Sequence, residues 1–133
     1  MRNLELNALL DEERKGVSFH DSQITKIQLD YIKREAVFDC LICAEDVDDK
    51  DWHKGRLIFG GLLFFNSEIP DETYPFENDS LDISGNCSVF EVAYNWPKFP
   101  DDLPEPALIH CFYVNNWNRC LFISATEAHF EWD

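Results

Sequence analysis

An alternation of apolar and polar residues with a period of two limits the fold of this chain more than any other feature of its sequence. Successive side chains of a β-strand point to opposite faces, so the alternation predicts strands with one apolar face each. The apolar positions are Ile27, Leu29 and Tyr31 in one stretch and Ala36, Phe38, Cys40 and Ile42 in the next. These stretches predict strands at about 24–32 and 36–42, and the polar run 33–35 between them predicts a hairpin turn.

The segment before the first strand has a different period. Leu6, Leu9 and Leu10 recur at helical spacing, and Gly16 suits the position just after the end of a helix. We therefore expect an N-terminal helix over about 3–15, followed by a β-rich region over about 17–126.

Two positions predict irregular strands. Ile24 lies three residues before Ile27, which breaks the alternation and predicts a β-bulge near Thr25-Lys26. A third strand is expected at 56–66, where nearly every residue is apolar, so we expect both of its faces to be covered. Its Gly60-Gly61 pair predicts a bulge or a close approach of another backbone.

The second half of the chain contains shorter strand signals. We expect strands at 81–83 and 89–94, and a second hairpin formed by 108–114 and 119–125. Its turn would lie at 115–118, where asparagines tolerate a positive φ. The expected architecture is a single, mainly β domain built from antiparallel hairpins, with an α+β fold as the alternative. An open sheet, a sandwich and a barrel all satisfy this pattern.

Length and charge narrow the classes of function. The 133 residues suit one domain, and 11 Lys and Arg against 26 Asp and Glu give a formal net charge of −15. Such a chain is repelled by phosphate backbones and by anionic membrane surfaces. We therefore expect neither nucleic acid nor a membrane as a partner.

The cysteines and the N-terminal residues bear on localisation. Five cysteines leave at least one unpaired in any disulfide scheme. The start of the chain has acidic residues where a secretory signal would be apolar. The longest apolar run, 57–65, is far shorter than the ~20 residues that span a bilayer. A reduced, cytoplasmic protein is the expectation.

His20 and Asp21 form the first candidate for chemistry, since a carboxylate can orient an imidazole for metal binding or acid–base catalysis. Asp39 on the partner strand of the hairpin would be a third member of such a site. The other interpretation, which we prefer, is structural: the pair hydrogen-bonds nearby backbone where the first strand begins.

The other motifs give weaker evidence for a chemical function. Cys40 and Cys43 match C-x-x-C, but strand residues three apart point to opposite faces, so we expect buried thiols and not a metal or redox site. Cys111 and Cys120 would share a face of the second hairpin if its loop has two residues. The sequence has no nucleophile elbow, phosphate-binding loop or dinucleotide motif. We expect no cofactor and no metal.

An acidic segment beside a tryptophan is the strongest candidate for a binding surface. A calcium loop does not fit, because the glycine and the last glutamate of that motif are missing. Acids beside an aromatic anchor are typical of an interface with a basic protein, and a solvated acidic loop is the alternative. The residues concerned are Asp46, Asp48, Asp49, Asp51 and Trp52.

The chain resembles a loose group of small, largely uncharacterised bacterial proteins rich in β-structure. The resemblance covers most of 17–126 and depends on 19–21, 36–39, 56–62 and 121–125. Some members resemble immunity proteins of bacterial polymorphic-toxin systems. The resemblance implies a β-rich fold and, less directly, an inhibitor of a toxin; His20 and Asp21 are the polar positions that match the motif.

Three functions follow as expectations. The first is a non-enzymatic cytoplasmic binding protein, most plausibly an immunity-type inhibitor that masks a basic partner. The second is a small metal-dependent enzyme that uses His20 and Asp21. The third is a self-associating structural protein, since uncovered strand edges can pair to form a homodimer, although the charge of −15 on each chain opposes this.

Overall fold

Six antiparallel strands form a closed barrel in a computed structural model of the protein. The structure describes residues 6–10, 18–44, 51–73, 80–87, 100, 102–104 and 106–133, with the backbone alone at 43, 44, 51 and 84–87. The strands are β1 (Ser22–Asp30), β2 (Glu35–Ala44), β3 (Asp51–Ser67), β4 (Leu81–Cys87), β5 (Leu108–Val114) and β6 (Arg119–Trp132). Their order around the barrel is β1-β2-β3-β6-β5-β4. The predicted mainly β, antiparallel fold class is confirmed.

The described part of the N-terminal segment is a single turn of 3-10 helix, Leu6–Leu9. Leu6 and Leu10 are both fully buried, and the Asn7 side chain accepts a hydrogen bond from the backbone N–H of Phe19 at 2.9 Å. The turn is thereby fastened to the chain just before β1. The rest of the expected helix, 3–5 and 11–15, lies outside the described residues.

The first hairpin is confirmed, with its bulge between Ile24 and Lys26. Its turn starts earlier than predicted, however, because β1 ends at Asp30. The Asp30 carboxylate accepts hydrogen bonds from the N–H groups of Ile32 at 3.0 Å and Lys33 at 2.9 Å. This side-chain cap favours a turn over continued strand. Tyr31 therefore belongs to the turn, although its apolar character continues the alternation.

The Gly60-Gly61 pair marks a bend in the barrel wall. Gly61 has φ 61°, and a Cβ atom there would collide with Thr126 of β6. The core-facing positions change parity here, from Phe59 to Leu62 on β3, and the register with β6 shifts between Leu62 and Phe64. Of the two predicted alternatives the bulge is confirmed, just beyond the glycines, and the atoms that closely approach Gly61 belong to the Thr126 side chain and not to another backbone.

The second hairpin has the predicted strands and turn, with Asn118 at φ 52°. β6 continues seven residues beyond the predicted 119–125, to Trp132, and this extension pairs with β3. Thr126 and Glu127 are both exposed, which interrupts the alternation of buried and exposed positions. The period-two pattern therefore does not predict the extension. The expected strand at 89–94 lies outside the described residues.

The barrel interior holds the core. Phe38 lies at its centre, with ring centroids 5.3 Å from Phe59, 6.2 Å from Phe65 and 5.9 Å from Phe112. β3 is not covered on both faces as expected, because Ile58 on its outer face is partly exposed. A closed barrel gives each strand only one interior face.

Candidate functional site

His20 and Asp21 lie on the surface immediately before β1. The His20 Nδ1 atom is 3.1 Å from a carboxylate oxygen of Asp21, and both side chains are 60% exposed. Asp21 has φ 63°, and its backbone N–H donates to the carbonyl oxygen of Ile83 in β4 at 2.7 Å. The two side chains contact each other, and the backbone beside them joins β1 to β4.

The third member of the hypothetical catalytic site, Asp39, has another partner. One of its carboxylate oxygens is 3.4 Å from Nε of Arg56 on the neighbouring strand. Among the residues that the structure describes, no group of three or more His, Cys, Asp or Glu side chains is placed to hold a metal ion. The described residues thus give the enzymatic alternative no converging ligand set.

The described cysteine side chains are free thiols. Cys40 is buried in the core, and this burial raises its pKa to about 12, as expected for an inert thiol. Cys111 and Cys120 share the outer face of the second hairpin, although its loop has four residues, 115–118, and not the two on which the prediction of a shared face was conditional. A hydrogen bond from Cys111 lowers the pKa of the Cys120 thiol. Side-chain placement at Cys43 lies outside the described residues.

The structure describes the C-terminal end of the predicted acidic loop. Asp46, Asp48 and Asp49 lie outside the described residues. Asp51 and Trp52 are not in a loop but begin β3, where they pair with Ala44 and Cys43 of β2. The predicted start of this strand, at residue 56, is five residues too late, because the polar residues at 51–55 do not alternate regularly with apolar ones.

Trp52 is 43% exposed, although it lies in a strand. The exposed positions around it, Lys54 and Arg56, alternate with buried ones, so Trp52 lies on the outer wall of the barrel. The next residue, His53, contacts the ring of Trp132 with centroids 6.4 Å apart. This contact holds the start of β3 against the end of β6, and the indole of Trp52 is presented on a rigid support.

The outer wall beside Trp52 has a balanced row of charges. Lys26, Asp39, Arg56 and Glu131 lie in register across β1, β2, β3 and β6. Asp39 and Arg56 form an ion pair at 3.4 Å, and an exposed pair of this kind contributes roughly 0.2–1 kcal/mol. Because positive and negative charges alternate along this row, the excess negative charge of the chain lies elsewhere.

His110 is the described histidine that points into the barrel. It is 1% exposed, and its ring centroid is 4.9 Å from that of Phe112. Burial lowers the pKa of His110 from 6.5 to about 3. The imidazole is therefore neutral inside the folded protein at neutral pH, and charging it requires exposure to water.

We expect the stability of the protein to fall with acidification because of His110. Below its unfolded pKa near 6.5, the unfolded chain binds a proton that the folded chain does not. Between pH 7 and pH 5 this lowers the free energy of unfolding by about 2 kcal/mol. This change in the free energy of unfolding is measured by urea unfolding at both pH values. The proteins compared are the wild type, His110→Phe and the exposed control His20→Gln. The stability of the His110→Phe variant should lack this pH dependence. Parallel curves of stability against pH for all three proteins would show that His110 is not its cause.

Comparison with known proteins gives no relative. No protein family matches the sequence, and neither the curated proteins nor the solved structures yielded a significant match. Among the described residues there is no helix with the length and apolar character needed to cross a membrane.

Proposed function

We propose that the protein is a non-enzymatic, cytoplasmic binding protein of the immunity type, which masks a basic surface on a partner protein. The binding surface is the acidic segment Asp46–Asp51 together with Trp52. The observation that carries the proposal is an exposed indole at the start of a rigid strand, directly after four aspartates within six residues.

The physical roles of the two components differ. Rim charges steer a partner of opposite charge and mainly set the association rate, and a net charge of −15 supports such steering. A large aromatic side chain that is desolvated on binding mainly slows dissociation. Trp52 already has its backbone fixed by pairing with β2, so binding costs little additional ordering.

The cytoplasmic part of the proposal is supported by the thiols. Cys40, Cys111 and Cys120 are free thiols, and Cys111 and Cys120 are hydrogen-bonded to each other and not joined by a disulfide. Thiols of this kind are typical of a reducing compartment. Affinity capture from the source cell, followed by mass spectrometry, should yield a basic protein that binds the purified chain directly.

Kinetics with the captured protein test the surface itself. Changing the four aspartates to asparagine is expected to slow association about tenfold at low salt and to flatten its salt dependence. Trp52→Ala should speed dissociation about thirtyfold, a loss of ~2 kcal/mol. Stopped-flow mixing measures the association rate, and surface-immobilised partner measures the dissociation rate.

Matched controls separate the surface from general charge. Neutralising four exposed acids away from this wall changes the net charge equally; these are Asp21, Glu72, Asp102 and Glu127. Ile69→Ala removes another exposed apolar side chain, which is 82% exposed. Both controls should have smaller effects than the changes at 46–52. Equal effects from the control set would show that the segment is only a solvated loop.

A further inference from the structure

A groove beside the turn of the first hairpin has chemistry that the proposed function does not use. It lies between the turn of the first hairpin and the part of β3 that follows Gly61. Its volume is about 250 Å³. The residues that line it are Tyr31, Arg34, Leu62, Leu63, Phe64 and Phe65. Five of these six side chains are aliphatic or aromatic, and the sixth carries a positive charge.

Arg34 is held in place by two hydrogen bonds to the same residue. Its backbone carbonyl oxygen accepts from the N–H of Leu62 at 2.8 Å, and its Nε donates to the carbonyl oxygen of Leu62 at 3.1 Å. Arg34 also has φ 53°, an uncommon conformation for a residue other than glycine. With Nε engaged, the two terminal nitrogens of the guanidinium remain as donors at the groove.

Among the residues that the structure describes, no carboxylate compensates the charge of Arg34 as carboxylates do for Arg56 and Arg119. Arg56 lies 3.4 Å from Asp39, and Arg119 lies 3.5 Å from Asp71. No carboxylate of the described residues comes within 4.0 Å of the Arg34 guanidinium. An arginine fork without an anion, beside apolar side chains, is complementary to a carboxylate attached to an apolar group.

We propose that this groove binds a small apolar carboxylate, an alkyl or aryl acid with an apolar part of about eight carbon atoms. This size is an order-of-magnitude match to the groove volume of about 250 Å³, taking for each group about 30 Å³, the share of liquid volume of one water molecule. The carboxylate pairs with the terminal nitrogens of Arg34, and the apolar part lies against Leu63 and Phe64. Tyr31, 76% exposed at the rim, covers the bound chain.

A second copy of the chain is a less suitable occupant. Two copies bring together formal charges of −15 each, which repel at the close distance of an interface. A single carboxylate brings one negative charge directly to Arg34, the described arginine that has no carboxylate within 4.0 Å. This site is independent of the acidic segment and of any protein that binds there.

The test is a titration of the isotopically labelled protein with octanoate and, in parallel, with 1-octanol, which has the same number of carbon atoms but ends in a hydroxyl group and not in a carboxylate. We expect octanoate to shift the backbone amide signals of 31–34 and 62–65, with a Kd of about 1 mM. 1-Octanol should bind at least fivefold more weakly, because it cannot form the charge-assisted pair.

Variants assign the effect to the groove. Arg34→Gln should weaken octanoate binding about five- to tenfold and remove the preference for octanoate over 1-octanol. Tyr31→Ala changes an exposed turn residue that does not support the fold, and it should weaken binding of both probes about threefold. Arg56→Gln removes the same charge elsewhere and should change nothing.

Three results would overturn the proposal. Equal affinity for octanoate and 1-octanol would remove the role of Arg34, and shifts confined to other residues would place the site elsewhere. Groove signals that move with protein concentration and not with octanoate would make a second copy the occupant. Because Tyr31→Ala leaves the fold intact, the site remains testable if Arg34→Gln fails to fold.

Discussion

Replacement of Phe38 by alanine is expected to lower the free energy of unfolding by about 3–5 kcal/mol. The Phe38 ring is fully buried, and it contacts Phe59, Phe65 and Phe112, which belong to strands on both sides of the barrel. Truncation leaves a cavity that the closed wall cannot collapse to fill, so the lost contacts are not replaced. Urea unfolding monitored by tryptophan fluorescence measures the change.

Two further variants calibrate this value. Phe38→Leu keeps most of the volume and should cost clearly less than Phe38→Ala. Tyr31→Ala removes an aromatic ring that is 76% exposed and should stay within about 0.5 kcal/mol of the wild type. A cost for Phe38→Ala as small as that for Tyr31→Ala would mean that Phe38 is not at the centre of the core.

Gly61→Ala is expected to cost about 2–4 kcal/mol. The left-handed conformation at φ 61° alone accounts for roughly 1–2 kcal/mol with an L side chain. The added Cβ would also collide with the hydroxyl oxygen of Thr126 and lie 3.0 Å from its Cβ. Strands β3 and β6 must then move apart where the wall bends, which adds a cost typical of overpacking.

A double-mutant cycle separates the two causes. Thr126→Ala removes the hydroxyl that the new Cβ would meet, so Gly61→Ala should cost about 1–2 kcal/mol less in that background. The conformational part should persist in both backgrounds. The same cost for Gly61→Ala with threonine or alanine at 126 would contradict a steric contact between the two strands.

The period-two pattern was sufficient for the hairpins. Residues that pair within a hairpin are close in sequence, so their alternation and turn residues carry most of the information. The bulge at Thr25-Lys26 and the positive φ at Asn118 were predictable because each depends on neighbouring residues. At Asp30 the prediction was wrong, because a side-chain cap ended the strand against the apolar alternation.

The candidate sites were predictable to different degrees. Trp52 could be selected by composition, since an aromatic follows a cluster of acids. The position of Trp52 in a strand could not be predicted from composition, because it depends on pairing with Cys43. Arg34 was identified only as a turn residue. The groove beside it exists because the chain returns 28 residues later, so that Leu62 accepts its side-chain hydrogen bond.

The sequence by itself determined the approximate positions of the described strands and hairpin turns, the strongly acidic character and the absence of familiar catalytic motifs. The tertiary structure alone decided that the sheet closes, with β3 against β6 and β1 against β4. These pairings join residues far apart in the chain. The alternation that makes a strand apolar on one face does not specify which other strand pairs with it. Closure, the bend at Gly61 and the groove at Arg34 depend on how all six strands fit around one core, because burial of that core chooses among pairings that are locally equivalent.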